Sequence, residues 1–452
     1  MERKEDIGRM HTAGITIDFE YGELWRGLHR SNPLSFKRPY SFLVYKDRDV
    51  YMAEDWRGRI RFEDDDASEV ISSCINILPD NGGKIFIRSS TYTITSTITI
   101  SKPVVLEGEL KSTRLEGSGS TDPVLRIEST SGIVLRDLTI DNRNGGGRGL
   151  SIYDTHFGSF ENLVVKGKTY GLELINSWVN IFRACWFNDT TEYDGAVIKD
   201  RCNSVMFVKC QFNGNGRFGA FIFSGSAYTP VNQSLISFRS CDFELNKNHG
   251  VFVRCFDKGY IDDLLFDGCY FENNVEDPND GYHVYLGVGS DTYYPRRVKI
   301  RKCRFSSTQT TGTFYHILVG HAEDVVIEDC TFIDTGTGDI VIGSGATRTT
   351  IIRPVFERSP YVISDSGVRT RIKGAQWENS GVAVFSGDGS TTEFKIEHGL
   401  VSTPSKYGVS PLTPDAHADK TITVDDTYII ITFSTAPPSG TDNLKFGWWA
   451  EV

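Results

Sequence analysis

The sequence predicts an all-β protein in which the chain winds as a parallel β-helix, a solenoid whose coils add short strands to shared sheets. The first observation is a unit of a Cys and, two positions later, an aromatic residue, which recurs along the chain. The second is the alternation of apolar and polar residues around that unit, as in SVMFVKCQF, which is typical of strands with one buried face. The aromatic positions return at intervals in the twenties and low thirties, a period typical of solenoids. They are Phe187, Phe212, Phe243, Phe271, Phe305, Phe332, Phe356 and Trp377.

Strand alternation predicts that the Cys and aromatic side chains of this unit point into the solenoid and stack on equivalents about 4.8 Å away. One interior position then takes a small apolar thiol, and the next takes a large ring. The chain has nine Cys, an odd number, and none shows the close pairing of a zinc or redox site. We therefore expect buried free thiols. The Cys residues of the unit are Cys185, Cys210, Cys241, Cys269, Cys303 and Cys330.

The stretch from Asp64 to Gly83 predicts a helix that covers the N-terminal end of the solenoid, because an open end exposes unpaired strand edges. Acidic residues stand in its first turn, and Asn81-Gly82-Gly83 is expected to end it. Apolar residues at helical spacing predict its buried face. They are Ala67, Val70, Ile71, Cys74, Ile75 and Ile77.

The chain around this helix carries motifs of a known family. Asp65-Asp66-Ala67 opens the helix, Gly82-Gly83 leads into two alternating Ile residues, and Thr91-Tyr92 and Val105-Leu106-Glu107-Gly108 follow. In this order the motifs resemble the opening of pectate-lyase-like right-handed parallel β-helix proteins, closest in style to viral and prophage tailspike proteins. The resemblance covers residues 40–385 and is specific for fold rather than for chemistry.

Changes in composition along the chain predict four segments. Residues 1–39 are polar and irregular, and they resemble the attachment arm of a tailspike; a tail packed on the first coil is the alternative. Residues 40–63 predict a hairpin lead-in, residues 64–385 the helix and solenoid, and residues 386–452 a small antiparallel β-sandwich. In similar proteins, such appended modules form trimers or bind glycans. One ring of the adjacent pair Trp448-Trp449 must face outward, toward a subunit interface or a sugar.

Composition excludes several partners. The formal net charge is −11, which disfavours a nucleic-acid interface and an anionic membrane surface. No apolar run has the length of a membrane span, and the first residues have no apolar region of a secretory signal. We therefore expect synthesis in the cytoplasm, with the product virion-associated or released. Four Gln and four Met among 452 residues are compatible with a thermophilic source.

Outward residues next to the inward Cys and aromatic positions predict a polar strip along the solenoid. Aromatic, amide and carboxylate groups about 4.8 Å apart suit a chain-like polysaccharide or cell-surface glycan, because rings stack on sugars and amides hold hydroxyl groups. The predicted substrate-binding residues of this strip are Trp186, Asn188, Gln211, Asn213, Tyr270 and Arg304.

Three carboxylates in the strip are candidates for catalysis. Asp242, Glu244 and Glu272 are expected on adjacent coils, and glycoside hydrolysis needs two such groups, one acid and one base or nucleophile. Crowding raises the pKa of one member and equips it as the acid. The sequence favours Glu272 as the acid and Asp242 as the base or nucleophile, with Glu244 as an alternative. Solvated acids without a role are the competing interpretation.

The strand that follows the Cys-x-aromatic unit in each coil is expected to form a different surface of the solenoid. Its mostly apolar outward stripe favours an interface, and three chains joined there would form the homotrimer of tailspike-like proteins. An intersubunit cleft would then unite His283 and Arg254, two further predicted substrate-binding residues, with Glu276, Asp277 and Asp280. The predicted outward positions are Phe221, Phe223, Phe252, Arg254, His283, Tyr285, His316, Leu318 and Asp339.

The resemblance also raises two other chemistries, a calcium-dependent lyase and a polygalacturonase. Polysaccharide lyases with this kind of fold pair acid-bound calcium with a basic residue, and Arg254 or Lys199 could serve as that base. A calcium site is conceivable, but the acidic residues show no ordered ligand spacing. No cofactor or metal ligand is therefore assigned. A polygalacturonase signature is rejected, because His249-Gly250 precedes Asp262-Asp263, the reverse of that family's order.

Three hypotheses on function remain: a polysaccharide-cleaving tailspike-like glycosidase, with a lyase as second choice; a non-catalytic glycan-binding adhesin; and a structural or cell-surface β-helix.

Overall fold

The computed structural model describes residues 7–12, 15–20, 39–225, 232–256, 259–274, 281–289, 291–308, 314–333, 338–357, 363–374 and 376–452. It is mostly β, with a parallel solenoid of about ten turns, as the sequence predicts. Near the N-terminus, Ile7–Thr12 and Ile15–Glu20 pair antiparallel, so this part of the predicted irregular arm contains a hairpin. The predicted lead-in also forms: Phe42–Asp47, Val50–Asp55 and Ile60–Asp64 are antiparallel neighbours.

The predicted capping helix spans Ala67–Ile77. The Asp66 carboxylate accepts a hydrogen bond from the backbone N–H of Ser68, so it caps the first turn. The helix ends at Ile77, before the predicted Asn-Gly-Gly stop, and the Lys102 ammonium donates to the carbonyls of Asn76 and Leu78 there. Five of the six predicted apolar residues are buried, but Ile77, in the last turn, is 48% exposed.

The main wall of the solenoid is a 24-stranded sheet, called here the long sheet, which begins with the lead-in strands. Its strands after the lead-in pair parallel. They are Gly83–Ile87, Ser90–Ile94, Val104–Glu107, Thr113–Gly117, Val134–Asn142, Ser159–Gly167, Ile181–Arg183, Trp186–Phe187, Met206–Val208, Gln211–Asn213, Ser237–Arg239, Asp242–Glu244, Leu265–Asp267, Tyr270–Glu272, Lys299–Arg301, Arg304–Ser306, Val326–Glu328, Thr331–Ile333, Thr350–Ile352, Val355–Phe356 and Arg371–Lys373.

A parallel eleven-stranded sheet forms a second wall. Its strands are Ile98–Ile100, Leu125–Ser131, Leu150–His156, Tyr170–Ile175, Asp194–Lys199, Phe218–Ser224, His249–Cys255, Gly281–Leu286, Phe314–Val319, Gly338–Ile342 and Ile363–Asp365. A third, short sheet of three strands contains Gln233–Ser234, Ile261–Asp262 and Pro295–Arg296. A 3-10 turn at Leu110–Ser112 contacts the long sheet.

Stacked columns fill the core between these walls. The Phe243 ring lies 4.7 Å from that of Phe212 and 4.8 Å from that of Phe271, and both pairs are almost parallel. A second column, which includes Phe207 and Phe238, packs edge-on against the first. All nine Cys are buried and free. Those of the repeated unit contact one another in succession from coil to coil, so they form a further column. The predicted interior is therefore confirmed as far as Phe356, whose ring stacks on that of Phe332. The prediction is wrong for Trp377: the long sheet ends at Lys373, and the Trp377 carbonyl accepts a hydrogen bond from the backbone N–H of Val452 in the C-terminal region.

The C-terminal region is a separate pair of antiparallel sheets that share one apolar core. The first contains Glu378–Gly387, Gly440–Glu451 and Lys406–Pro411, and the second contains Glu393–Glu397, Tyr428–Phe433 and Lys420–Val424, with a 3-10 turn at Pro414–His417. This arrangement agrees with the predicted sandwich, but its pairing begins at Glu378, before the predicted boundary at residue 386. Trp449 is its outward ring, 48% exposed, whereas Trp448 packs against the core.

Candidate functional site

The predicted polar strip lies on the outer face of the long sheet, in the register that strand alternation implies. Trp186 pairs with Gln211, Gln211 with Asp242, Asp242 with Tyr270, and Tyr270 with Arg304. Two residues further along each strand, Asn213 pairs with Glu244, Glu244 with Glu272, and Glu272 with Ser306. The interior Phe column fixes this register, because a slip of one residue would turn every ring outward.

The structure brings the three candidate carboxylates together. Asp242, Glu244 and Glu272, called here the carboxyl cluster, are half-buried on two adjacent coils. Burial, followed by the charge and hydrogen bonding of Asp242 and the charge of Glu272, raises the pKa of Glu244 to about 7. Burial also raises the pKa of Asp242, and the charge of Glu272 adds to the effect. The cluster therefore holds a proton near neutral pH.

Hydrogen bonding indicates where that proton lies. Asp242 Oδ1 is buried and accepts no hydrogen bond from an amide, hydroxyl or cationic group of the described residues. Asp242 Oδ2 accepts one long hydrogen bond, from Asn213 Nδ2 at 3.4 Å. A protonated Glu244 supplies the missing donor to Asp242, and this contact favours the ionised form of Asp242. We therefore place this proton on Glu244, and the catalytic roles of the three carboxyl groups stay predictions.

Polar groups on both sides extend the cluster. Burial and the neighbouring Glu272 carboxylate raise the pKa of Tyr270, so its hydroxyl stays protonated beside that carboxylate. Arg304, the next residue in the column, is exposed and makes no ion pair with a described residue. The Asn188 and Asn213 amide oxygens accept hydrogen bonds from the backbone N–H groups of Asn213 and Glu244, at 2.9 and 3.0 Å. These amides hold the site in place, and their roles with a substrate stay predictions.

A buried asparagine ladder behind the cluster was missed by sequence reasoning. Asn215 Nδ2 donates to Asn246 Oδ1 at 2.8 Å, and Asn246 Nδ2 donates to Asn274 Oδ1 at 2.6 Å. These amides also bond the carbonyls of Phe187, Phe212 and Phe243. The ladder thus fixes the turns that follow the site strands. Its signal was an Asn three residues after the Phe in three successive units.

At the N-terminal side of the strip, Trp186 does not stand alone. Its ring is 36% exposed, and the ammonium of Lys111 lies 2.6 Å from the ring centroid. Lys111 belongs to the 3-10 turn Leu110–Ser112, far from Trp186 in sequence. No local pattern could have predicted this contact.

The candidate basic residues lie elsewhere. Arg254 is in the eleven-stranded sheet, where it forms a two-bond ion pair with Asp291 at 2.9 and 3.0 Å. Lys199, in the same sheet, donates to Glu173 at 2.8 Å. The structure therefore does not place either cation in the long sheet with the carboxyl cluster.

The predicted outward placement of His283 and His316 is wrong, and so is that of Asp339: the histidines are fully buried and Asp339 is 6% exposed. The chain turns a corner of the solenoid near the start of each of these strands, so two successive side chains face inward. The second side chain is in each case apolar: Val284, Ile317 or Ile340. The same corner position in the preceding coil is Gly250, where Asn274 and the Phe271 ring already fill the space. After the ladder ends, imidazole rings fill that space, and His283 bonds both Asn274 and the carbonyl of Ser306.

The predicted apolar stripe is otherwise present on the eleven-stranded sheet. Phe221, Phe252 and Tyr285 are half-buried and pack in succession: Phe221 and Phe252 stack with centroids 5.3 Å apart, and Tyr285 is tilted against Phe252 at 4.9 Å. The predicted acids Glu276, Asp277 and Asp280 lie outside the described residues. Within the described ranges, no group of three potential metal ligands is found, and no helix is long and apolar enough to cross a membrane.

We expect the carboxyl cluster to release one proton near pH 7. Because the pKa of Glu244 is raised in the folded protein, the folded state binds more protons than the unfolded state between about pH 4.5 and 7. The free energy of unfolding therefore decreases as pH rises through that window. Infrared difference spectra should show a protonated carboxyl band that disappears near pH 7. Glu244→Gln should remove it, and Glu192→Gln, at an exposed carboxylate outside the strip, should not. A band unchanged in Glu244→Gln would contradict the assignment.

A family model identifies the protein family to which this chain belongs. The family model of the right-handed beta helix region matches residues 65–236, 123–289 and 231–412, which together include most of the chain. The chain belongs to the right-handed β-helix family. Among curated protein sequences, none matches this β-helix protein.

Solved structures share the fold of this β-helix protein at low identity. ORF18 of Geobacillus virus E2 is 15% identical, with a TM-score of 0.52 over 84% of this chain and 75% of that chain. The tailspike protein gp49 of Pseudomonas phage LKA1 is 10% identical, with a TM-score of 0.51 over 81% and 67%. The A-module of the Azotobacter vinelandii mannuronan C-5 epimerase AlgE6 is 14% identical, with a TM-score of 0.50 over 69% and 96%. At such identities the likeness establishes the fold alone.

Proposed function

We propose that this protein is a tailspike-like glycosidase that hydrolyses a polysaccharide at the carboxyl cluster. The observation that carries the proposal is the strand register that sets Glu244 beside Glu272 and on one strand with Asp242, on the outer face of the long sheet. The raised pKa of Glu244, about 7, supports it. A protonated and an ionised carboxyl group side by side are what glycoside hydrolysis requires. Similar folds in a phage tailspike and in an enzyme named for its action on mannuronan support a glycan as the ligand.

In this proposal Glu244 is the general acid. It donates its proton to the glycosidic oxygen while the bond from that oxygen to the anomeric carbon breaks. Glu272, on the next coil, is the base or nucleophile. As the base it accepts a proton from the attacking water; as the nucleophile it attacks the anomeric carbon, and water then hydrolyses the resulting ester while Glu244 accepts the proton of that water. Asp242 is a positioning residue that accepts the Glu244 hydrogen bond until the substrate arrives. Tyr270 and Gln211 flank this centre and contact sugar hydroxyl groups.

The glycosidase proposal is tested by incubating the protein with bacterial capsular, algal and plant polysaccharides and weighing the products. Hydrolysis adds one water per cut, whereas elimination adds none and leaves an unsaturated sugar end. We expect hydrated products, because the two candidate lyase bases are paired with Asp291 and Glu173 in another sheet. Unsaturated products would replace hydrolysis by the lyase alternative. Binding to a polymer without any product would leave the adhesin.

Subunit assembly is part of the same proposal. The half-buried stack of Phe221, Phe252 and Tyr285 is the surface on which we place a homotrimer interface, since apolar outward stripes usually mark contacts. Light scattering that gives the mass of a single chain would count against it.

A further inference from the structure

Lys111 is held in an unusual way beside the polar strip. Its ammonium lies over the Trp186 ring, 2.6 Å from the centroid, and makes no hydrogen bond or ion pair with any described residue. The carbonyl of Lys111 accepts a hydrogen bond from the Thr139 hydroxyl at 3.0 Å, so the long sheet anchors its turn. The side chain is half-buried, and burial lowers its pKa.

A ring holds a cation without neutralising it. The face of an indole attracts an ammonium through its quadrupole, but the net charge remains, unlike in a contact with a carboxylate. Other lysines of this protein show the difference: Lys84 lies 3.1 Å from Glu107, and Lys199 lies 2.8 Å from Glu173. Lys111 therefore carries an uncompensated positive charge at a solvent-accessible position.

The surroundings of Lys111 do not supply the missing negative charge. Arg114 and Arg143 share one buried carboxylate, Asp141, at 3.2 and 2.8 Å. Lys166 and Asp189 form a separate contact pair. The Glu116 carboxylate acts on Arg143, so these carboxylates lie with cations other than Lys111. Lys111 is thus a cation without an ion-pair partner among the described residues, in a chain whose formal net charge is −11.

The position of Lys111 relative to the carboxyl cluster follows from the strand register. Trp186 pairs with Gln211, and Gln211 pairs with Asp242, so two coil spacings of about 4.8 Å separate the two places. A glycan lying along the strip would reach both. The carboxyl cluster is acidic, so it repels a negatively charged substituent of the glycan, whereas Lys111 attracts one. The charged sugar unit would therefore lie at Lys111 and not at the cluster.

We propose that Lys111 and Trp186 form a subsite for a negatively charged sugar unit, so that the polymer bound and cut by this protein is an acidic polysaccharide. The inference rests on the proposed function and adds the substrate class. The Lys111 ammonium contacts a carboxylate or sulfate group of the sugar, and Trp186 holds the ammonium in place. Both anionic groups fit a single ammonium, and the experiment separates them.

The experiment measures binding to polymers by affinity electrophoresis in the Glu244→Gln background, so that the polymers stay intact. The probes are alginate, polygalacturonate, acidic capsular polysaccharides and dextran sulfate, each beside its carboxyl-reduced or unsulfated form. We expect at least one acidic polymer to bind at least tenfold more tightly than its neutral form. Lys111→Met should remove that preference, because the side chain keeps its stem but loses its charge, and Lys111→Arg should retain it.

Lys46→Met is the matched control. The Lys46 ammonium also lies over an aromatic ring, that of Tyr51 at 5.1 Å, but in the lead-in hairpin, away from the strip. This variant should bind as tightly as the parent protein. Preference for a carboxylated or for a sulfated polymer identifies the anionic group.

Three outcomes overturn the inference, and they are distinguishable from one another. Equal binding of acidic and neutral forms, or binding of neutral forms alone, rejects the acidic substrate and leaves the glycosidase proposal standing. An equal loss of binding to both forms in Lys111→Met shows that the lysine only supports Trp186. Binding to no polymer at all removes the glycan function and the subsite together.

Discussion

Replacing Glu244 with Gln is expected to lower the rate of polysaccharide cleavage about 10³-fold while glycan binding is retained. Gln has the size and the hydrogen-bonding capacity of the protonated acid, so its amide can still donate to Asp242, but it cannot transfer a proton to the leaving oxygen. Glu244 is half-buried on a strand whose neighbours are fixed by the Phe243 column, so the substitution should leave the fold intact. Release of reducing ends measures the rate, and affinity electrophoresis measures binding.

The matched control for this variant is Glu192→Gln. Glu192 is exposed, and its only salt bridge among the described residues is a long contact of 3.6 Å to Lys168, so its loss should leave the rate unchanged. Glu272→Gln should abolish cleavage, through loss of the base or nucleophile. Full activity of Glu244→Gln together with an inactive Glu272→Gln would return the acid role to Glu272, as the sequence suggested.

Phe243→Ala should lower the free energy of unfolding by about 3–5 kcal/mol. The Phe243 ring is fully buried between the Phe212 and Phe271 rings and contacts Phe238 edge-on, so its removal opens a cavity with stacked partners on both sides. The surrounding coils are tied by the asparagine ladder and cannot collapse into it. Denaturant unfolding followed by circular dichroism measures the loss.

The control for the core substitution is Phe157→Ala. The Phe157 ring is 63% exposed at a corner of the solenoid, so its removal should change stability by no more than about 0.5 kcal/mol. Because a solenoid can unfold in parts, hydrogen exchange of the amides around Cys241 and Asn246 should be followed as well. Equal loss of stability in the two variants would contradict the interior column.

Much of the candidate site could be predicted because, on a strand, the neighbours of an inward side chain must face outward. Once Phe243 is placed inside, Asp242 and Glu244 must lie outside, and stacking adds Gln211 and Tyr270 beside them. The raised pKa of Glu244 could not be predicted in the same way. It depends on burial combined with the charges of Asp242 and Glu272 and the hydrogen bond to Asp242, and these depend on side-chain packing within the strip.

The sequence by itself determined the solenoid, its helical cap, its interior of thiols and rings, and the outward strip, because each depends on a repeat or on alternation between neighbouring residues. Only the tertiary structure decided the contents of the corners and the ends of the strip. Local alternation fails where the chain turns, so His283 and His316 fill the space left beyond the asparagine ladder. Lys111 reaches Trp186 across coils that are distant in sequence, and such a contact arises from the winding of the chain and not from any pattern along it.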